Sequence, residues 1–303
     1  MNALELLKRI QALAAKDAAL LPARGIVAGI GDDCAVFRAR VAREDLLFTT
    51  DMMLENVHFR RDMHTADAVG YKTLARGLSD IAAMGGEPRF CLVSLALAPW
   101  TDARWVDRFY RGLLRLARVT GTALAGGDLG HAERFSCDIV VCGSAPQGKA
   151  LRRDGARPGD SIYVSGRLGG SALGLATRRG AAWRKHAYPE PRLGLGRFLR
   201  GRATAAMDLS DGLSLDLHRL SLASGVAAGI DEALPVFRGA TLEQALHGGE
   251  DYELLFTAKK AIPDSFEGLP LRRIGVMRKG EPGLVRFAGK PLAPAGYDHL
   301  RNR

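Results

Sequence analysis

An α/β protein built in two halves is what this 303-residue chain predicts, and three observations carry that expectation. Short apolar, β-branched runs alternate with segments of helical period, as in mixed sheets covered by helices. A stretch rich in Gly, Pro and basic residues, Pro146 to Gly159, interrupts the alternation near the middle of the chain and reads as a boundary. The length itself suits two domains. The expected units are residues 1–147 and 148–303.

Taken in order, Ala3, Leu6, Leu7, Ile10, Leu13 and Ala14 fall on one helical face. After the Gly31-Asp32-Asp33 turn, Leu46 to Thr50 reads as a short strand ending at Asp51. Residues 66–84 have helical period and stop at Gly85-Gly86, with Pro88 beyond. Phe90 to Ala98 is an apolar, strand-like run. Thr101 and Asp102 can cap a helix running through Trp105, Phe109 and Leu113 to about Val119, closed by Gly121. Strands at about 122–125 and 137–143 complete the first half. In the second, Ser161 to Ser165 is a strand and Gly169-Gly170-Ser171 opens a helix. Residues 181–192, with Trp183, Tyr188, two prolines and several charges, read as a surface loop. Thr204 to Met207 is a strand ending at Asp208, 211–224 a helix, and Tyr252 to Thr257 a further strand.

The hydrophobic share of 47% and charged share of 25% are those of an ordinary globular chain. The N-terminal apolar residues are broken by Glu5, Lys8 and Arg9, unlike a secretory leader. The apolar run Cys91 to Trp100 is far too short to cross a bilayer. Cys34, Cys91, Cys137 and Cys142 lack zinc-site spacing and read as reduced thiols of a cytoplasmic protein. The net charge of +10 admits nucleic acid, an anionic metabolite or a generally basic surface. Its scatter and the lack of interleaved aromatics favour the metabolite over a single-strand platform.

Seven aspartates stand in five blocks flanked by Gly, Ser or Thr: Asp32 and Asp33, Asp51, Asp80, Asp128, and Asp208 with Asp211. Hard cations such as Mg2+ bind carboxylate oxygens together with substrate phosphates, and flanking glycines let backbone approach closely. Each block has a plainer reading: an Asx-turn or cap for Asp32 and Asp33, strand termination for Asp51, a solvated helix face for Asp80. Gly126-Gly127-Asp128 could lay backbone amides against phosphate. Asp208-Leu209-Ser210-Asp211-Gly212 stands where a strand meets a helix, and capping accounts for only one of its acids. Gly248-Gly249-Glu250-Asp251-Tyr252-Glu253 is either a set of functional acids or a turn before an edge strand. No P-loop, Gly-x-Ser-x-Gly elbow or His-Glu-x-x-His helix occurs.

In sequence order these blocks, with His58-Phe59, Leu78 to Gly85 and Gly296-Tyr297-Asp298-His299, resemble the thiamine-monophosphate kinase family of the aminoimidazole ribonucleotide synthetase superfamily. The resemblance covers nearly the whole chain. It implies ATP-dependent phosphorylation of thiamine monophosphate to thiamine diphosphate by direct in-line transfer with several Mg2+ ions. It also implies an N-terminal domain that binds ATP and Mg2+ and forms a dimeric β-barrel, in a homodimer that engages neither nucleic acid nor membrane. On the family pattern Asp33, Thr49, Thr50, Asp51, Asp80, Asp128, Asp208 and Asp211 are metal ligands, with Asp51, Asp128 and Asp211 at the reaction centre. Tyr110, Gly127, Asp128, Arg153 and Ser210 match nucleotide contacts, and His58 and Glu250 match substrate contacts.

The chain departs from that pattern at Gly77, usually Asn, at Leu129, usually Thr, and at Pro294, where an aromatic ring commonly stacks on thiamine. Phe59 is a candidate for the missing ring. Other superfamily enzymes are the nearest alternatives. The chain lacks the N-terminal Cys-Lys of selenophosphate synthetase and the terminal Cys of the hydrogenase-maturation dehydratase. A non-catalytic RNA-binding protein is the alternative from another class, and the retained acids speak against it.

Overall fold

A computed structural model describes residues 25–28, 31–39, 43–231 and 233–298. The expected helix at 3–14, and Gly29, Ile30 and His299 of the motifs above, lie outside the described residues. The first sheet holds β1 (Ile26–Ala28), β2 (Ala35–Phe37), β3 (Glu44–Leu54), β4 (Glu87–Leu97), β5 (Ala123–His131) and β6 (Ser136–Pro146), in the order β1-β2-β3-β6-β4-β5. All neighbours are antiparallel except β4 and β5.

One face of this sheet is covered by α1 (Ala66–Ala83) and α2 (Ala103–Thr120). The hydroxyl of Thr65 caps α1 by accepting from the Ala68 amide, and Asp102 caps α2 through the Trp105 amide. The two helices approach closely because Gly70 and Gly112 carry no side chain. A Cβ at either would lie 1.9 Å from a carbonyl oxygen of the other helix, that of Phe109 or of Asp67. Leu74, Leu78 and Ile81 of α1 are wholly buried, each a gain of about 1.5–3 kcal/mol.

Alternation along the strands decides which face each residue takes. In β3, Asp45, Leu47, Thr49 and Met53 turn toward the helices, as does Asp51, while Thr50 and Met52 face away. The face away from the helices leaves Met52 and Leu92 at 52% and 37% exposure.

The second sheet begins at β7 (Ser161–Ser165), followed by α3 (Gly170–Thr177), α4 (Gly180–Ala187), α5 (Leu193–Leu199), β8 (Ala205–Asp208), α6 (Leu213–Ala223) and β9 (Ala227–Ile230). Then come α7 (Leu242–His247), β10 (Leu254–Ala258), β11 (Ser265–Phe266), β12 (Leu269–Arg278), β13 (Val285–Phe287) and β14 (Lys290–Pro291). The order is β14-β13-β9-β12-β7-β10-β8, with β11 beside β12. The two halves share a core in which Ala82 and Ala83 of α1 and Leu151 pack with Leu195, Leu199 and Phe256. Gly196 makes that contact possible, since a Cβ there would sit 2.0 Å from the Ala82 carbonyl oxygen.

Four sequence expectations are corrected. The strand expected to end at Asp51 continues to Leu54, because β6 pairs with it as far as Ser136. Gly126-Gly127-Asp128 lies inside β5, where Gly127 fits against the Val93 carbonyl. Residues 180–187 form a helix rather than loop, held by buried Ala182, His186 and Ala187. The acids Glu250, Asp251 and Glu253 precede an inner strand, with β10 lying between β7 and β8. Among the described residues the chain shows mixed α/β sheets and no closed barrel, and no helix is long and apolar enough to cross a membrane. All four cysteines are buried and free.

Candidate active site

Asp33, Asp80 and Asp208 come from a turn, a helix and a strand end, yet each places a carboxylate oxygen within 4.8 Å of the others. Asp80 and Asp208 line a cleft of about 310 Å³ between the two halves, with Asp51, His58, Arg76, Ser210, Asp211, Glu250 and Tyr297, and Asp33 stands beside them. Asp80 is not the solvated helical acid of the plainer reading. It sits against the sheet, where Thr49 donates its hydroxyl to it. Ser79 donates to Asp208 at 2.7 Å.

Burial, then the neighbouring carboxylates, pushes Asp80 and Asp208 well above the usual carboxylate range. Asp51 is raised too, chiefly by burial, despite the Arg76 guanidinium 2.9 Å away. Asp32 is pushed up to about 7 by burial and by Asp33 beside it. Crowded, desolvated carboxylates of this kind are relieved by a hard cation. One buried oxygen of Asp33 has no hydrogen-bond donor among the described residues. The donor set therefore fits Mg2+.

Arg153 anchors the Asp32–Asp33 turn, its Nη2 lying 2.8 Å from Asp33 and its Nε 3.5 Å from Asp32. Asp211 pairs with Arg219 at 2.5 Å. The adjoining backbone is fixed from below, because Asp216 accepts from the amides of Asp211 and Gly212 at 3.0 Å each. The 209–211 and 249–252 segments are then zipped together by the Glu250 amide on Ser210 O and the Tyr252 amide on Leu209 O. Glu250 and Tyr252 hold left-handed backbone, at φ 63° and 50°. Non-glycine residues adopt that region at a cost, and such strain gathers at functional sites.

The three acids of the 248–253 block have separate tasks. Glu250 lines the cleft, 2.8 Å from Lys72 and 3.5 Å from His186 Nδ1. Burial alone would raise its pKa, but Lys72 and His186 bring it down to about 2. Asp251 accepts from the amides of Gly169 and Ser171 and so caps α3. Glu253 is bound by Lys185, Arg192 and the Ser165 hydroxyl.

His58 lines the cleft and its Nδ1 accepts from the Leu54 amide at 3.0 Å, an arrangement that puts the ring proton on Nε2. Phe59 is buried in the first core against Phe135 and does not reach the cleft, so it cannot replace the ring missing at Pro294. Tyr297 lies there instead. Its amide donates to Asp211 O at 2.9 Å, and Gly296 beside it leaves a gap that a Cβ would fill 2.3 Å from the same oxygen.

Tyr110, Gly127 and Asp128 are not brought to the cleft. They line a shallow open concavity at the β5 edge with Val106 and Leu129. Strand order places β5 three steps from β3, about 14 Å at the usual strand spacing. Asp128 pairs with Ser94, and Ser94 with Asp138. That row is on the face away from the helices, where Thr50 donates to Asp138 at 2.7 Å. Thr50 and Asp128 are therefore on the opposite face from Asp51.

Sequence reasoning missed Arg76, Ser171, His186 and Tyr297 as cleft residues, and Lys72 as the buried partner of Glu250. Lys72, Arg76 and Asp80 recur every four residues, and that spacing puts them on one helical face. No comparable signal marks Ser171 or His186.

Residues 31–145 match the family model of the AIR synthase related protein, N-terminal domain. The thiamine-monophosphate kinase of Salmonella typhimurium is 38% identical over 302 residues, covering 90% of this chain and 91% of its own. Among solved structures, AaThiL complexed with AMPPCP and TMP superposes with a TM-score of 0.84 at 32% identity, covering 98% of this chain and 97% of that one. Thiamine-monophosphate kinase from Stenotrophomonas maltophilia gives 0.77 at 36% identity, covering 91% and 95%. On likeness of this extent, joined to the carboxylate cleft, the chain belongs to the thiamine-monophosphate kinase family.

Proposed function

We propose that the cleft transfers the γ-phosphoryl group of ATP to thiamine monophosphate, giving thiamine diphosphate and ADP. The observation that carries this reading is the convergence of Asp33, Asp80 and Asp208 beneath a cleft walled by His58 and Glu250. Its volume of about 310 Å³ suits a small metabolite. The acceptor is a phosphate oxygen already ionised at neutral pH, so the site needs no strong general base and no protein nucleophile. The obstacle is repulsion between phosphate groups.

Asp33, Thr49, Asp51, Asp80, Asp208 and Asp211 would hold Mg2+, which supplies charge neutralisation and orients the phosphates for in-line displacement. Asp51 and Asp211 stand at the reaction centre on this reading. Arg153 and Ser210 face the nucleotide phosphates, and Arg76 holds Asp51 in place. His58 donates from Nε2 to the substrate phosphate, and Glu250 accepts from its cationic organic part.

A homodimer belongs to the same proposal. The face of the first sheet away from the helices exposes Met52 and Leu92, a surface suited to a second copy. Tyr110, Gly127, Thr50 and Asp128 would then contact the nucleotide and its metal in the assembled dimer. The division at 147/148 and a cytoplasmic, ATP-supplied location complete the reading.

The test is coupled measurement of ADP release with thiamine monophosphate against other phosphorylated metabolites. Thiamine monophosphate is the expected acceptor, and His58→Ala should raise its KM far more than that of ATP. Turnover confined to a different phosphorylated metabolite would overturn the reading.

A further inference from the structure

Behind Glu250 the cleft wall holds a pair of histidines. His64 Nε2 lies 3.0 Å from His186 Nε2, both rings being buried, and Trp183 packs against each. Two facing ring nitrogens need one proton between them. The direction is set at the far end, where the Arg60 amide donates to His64 Nδ1 at 3.2 Å. An amide hydrogen cannot turn away, so Nδ1 is the acceptor and His64 carries its proton on Nε2. The Arg60 carbonyl, 3.3 Å from the same nitrogen, already accepts from the amides of Met63 and His64.

His64 Nε2 therefore donates to His186 Nε2, which leaves the His186 proton on Nδ1. That proton faces the Ser171 hydroxyl oxygen at 2.9 Å and Glu250 Oε2 at 3.5 Å. A carboxylate there favours the same tautomer. Ser171 Oγ thus accepts from His186, and its own O–H is left to point elsewhere. Ser171 lines the cleft at the start of α3, next to Ala172 and Leu175.

We propose that Ser171 donates its hydroxyl proton to a ring nitrogen of the substrate's aminopyrimidine, and that His186, oriented by His64, is the positioning residue that aims it. This rests on thiamine monophosphate being the substrate. Ser171 and Glu250 share His186 Nδ1 as a neighbour, so a donor and an acceptor stand side by side in the wall. A 4-aminopyrimidine presents the complementary edge, a ring nitrogen that accepts beside an amine that donates. A 4-keto analogue reverses that edge and is disfavoured. Lys72 holds the other Glu250 oxygen at 2.8 Å and keeps the acceptor in register.

The experiment has two arms. Imidazole 15N shifts of the labelled free protein read the tautomers without substrate: His64 protonated on Nε2 and His186 on Nδ1 is expected, and the reverse overturns the relay. Kinetics then compare Ser171→Ala, His186→Ala, His186→Asn and the double Ser171→Ala/His186→Ala, each first checked for a wild-type melting profile. Ser171→Ala and His186→Ala should each raise KM for thiamine monophosphate about tenfold, the worth of one well-placed hydrogen bond, with KM for ATP unchanged. Asn can present an N–H where Nδ1 was and should restore most of the loss. The double variant should be no worse than Ser171→Ala, and discrimination against oxythiamine monophosphate should fall in both single variants. Equal losses toward ATP, or additive effects, would overturn the aiming role. A wild type inert toward thiamine monophosphate overturns the proposed function itself, and the imidazole shifts still decide the relay.

Discussion

Ser79 of α1 donates a 2.7 Å hydrogen bond to Asp208 at the end of β8, joining the two halves at the carboxylate cluster. Both residues are buried, at 0% and 3% exposure. Ser79→Ala leaves that carboxylate without its protein donor, a cost of about 1–3 kcal/mol. The expected outcome is a lower melting temperature without added metal that saturating Mg2+ partly restores. Isothermal titration and thermal melts with and without Mg2+ check it.

Metal dependence follows from the cluster. EDTA should abolish turnover and Mg2+ restore it. Asp51→Asn removes ligand charge with little change of volume, and a lost metal contact worth several kcal/mol in the transition state should lower kcat by about a thousandfold. The circular dichroism spectrum should stay that of the wild type. Near-normal turnover of Asp51→Asn at saturating Mg2+ would refute the multi-metal site.

Gly77 has a structural explanation for its departure from the family pattern. A Cβ at that position would lie 2.6 Å from Val141 Cγ2, so the space an asparagine needs is filled from β6. Gly77→Asn should destabilise the protein by about 1–3 kcal/mol through overpacking. Val141→Ala alone is also destabilising, but the double variant should recover part of the sum. Urea denaturation of the four proteins gives the coupling; strict additivity would refute it.

Glu253 provides a pH test. Burial opposes its ionisation, yet Lys185 and Arg192 bring its pKa down to about 2 from 4.5. A carboxylate depressed on folding stabilises the protein above its unfolded pKa, and that stability is lost as pH falls from about 4.5 toward 2. Asp80 and Asp208, raised on folding, act with the opposite sign, so the informative quantity is a difference. The stability gap between wild type and Glu253→Gln, measured by urea denaturation at neutral pH and below pH 4, should narrow as pH falls. A gap that widens would show that the triad does not hold Glu253 ionised.

Much of this protein was determined by local sequence. The 66–84 period, the Asp102 cap with Gly121, and the apolar run of 161–165 specified α1, α2 and β7 nearly to the residue, because each depends on neighbours within a few turns or one strand. The aspartate blocks likewise pointed to a carboxylate-rich site through residue type and flanking glycines alone. What local sequence could not decide was which carboxylates meet. Asp33, Asp80 and Asp208 converge only because the halves pack through Ala82, Gly196 and Leu199, whereas strand alternation and order send Thr50 and Asp128 to the other face. Ser171 and His186 escaped notice for the same reason. The histidine sits in a segment whose charges and prolines resemble a loop, and its burial comes from packing against His64, 122 residues away. Residue type set the chemistry that was available, and long-range packing chose the partners, since burial and hydrogen-bond direction exist only once distant segments exclude water together.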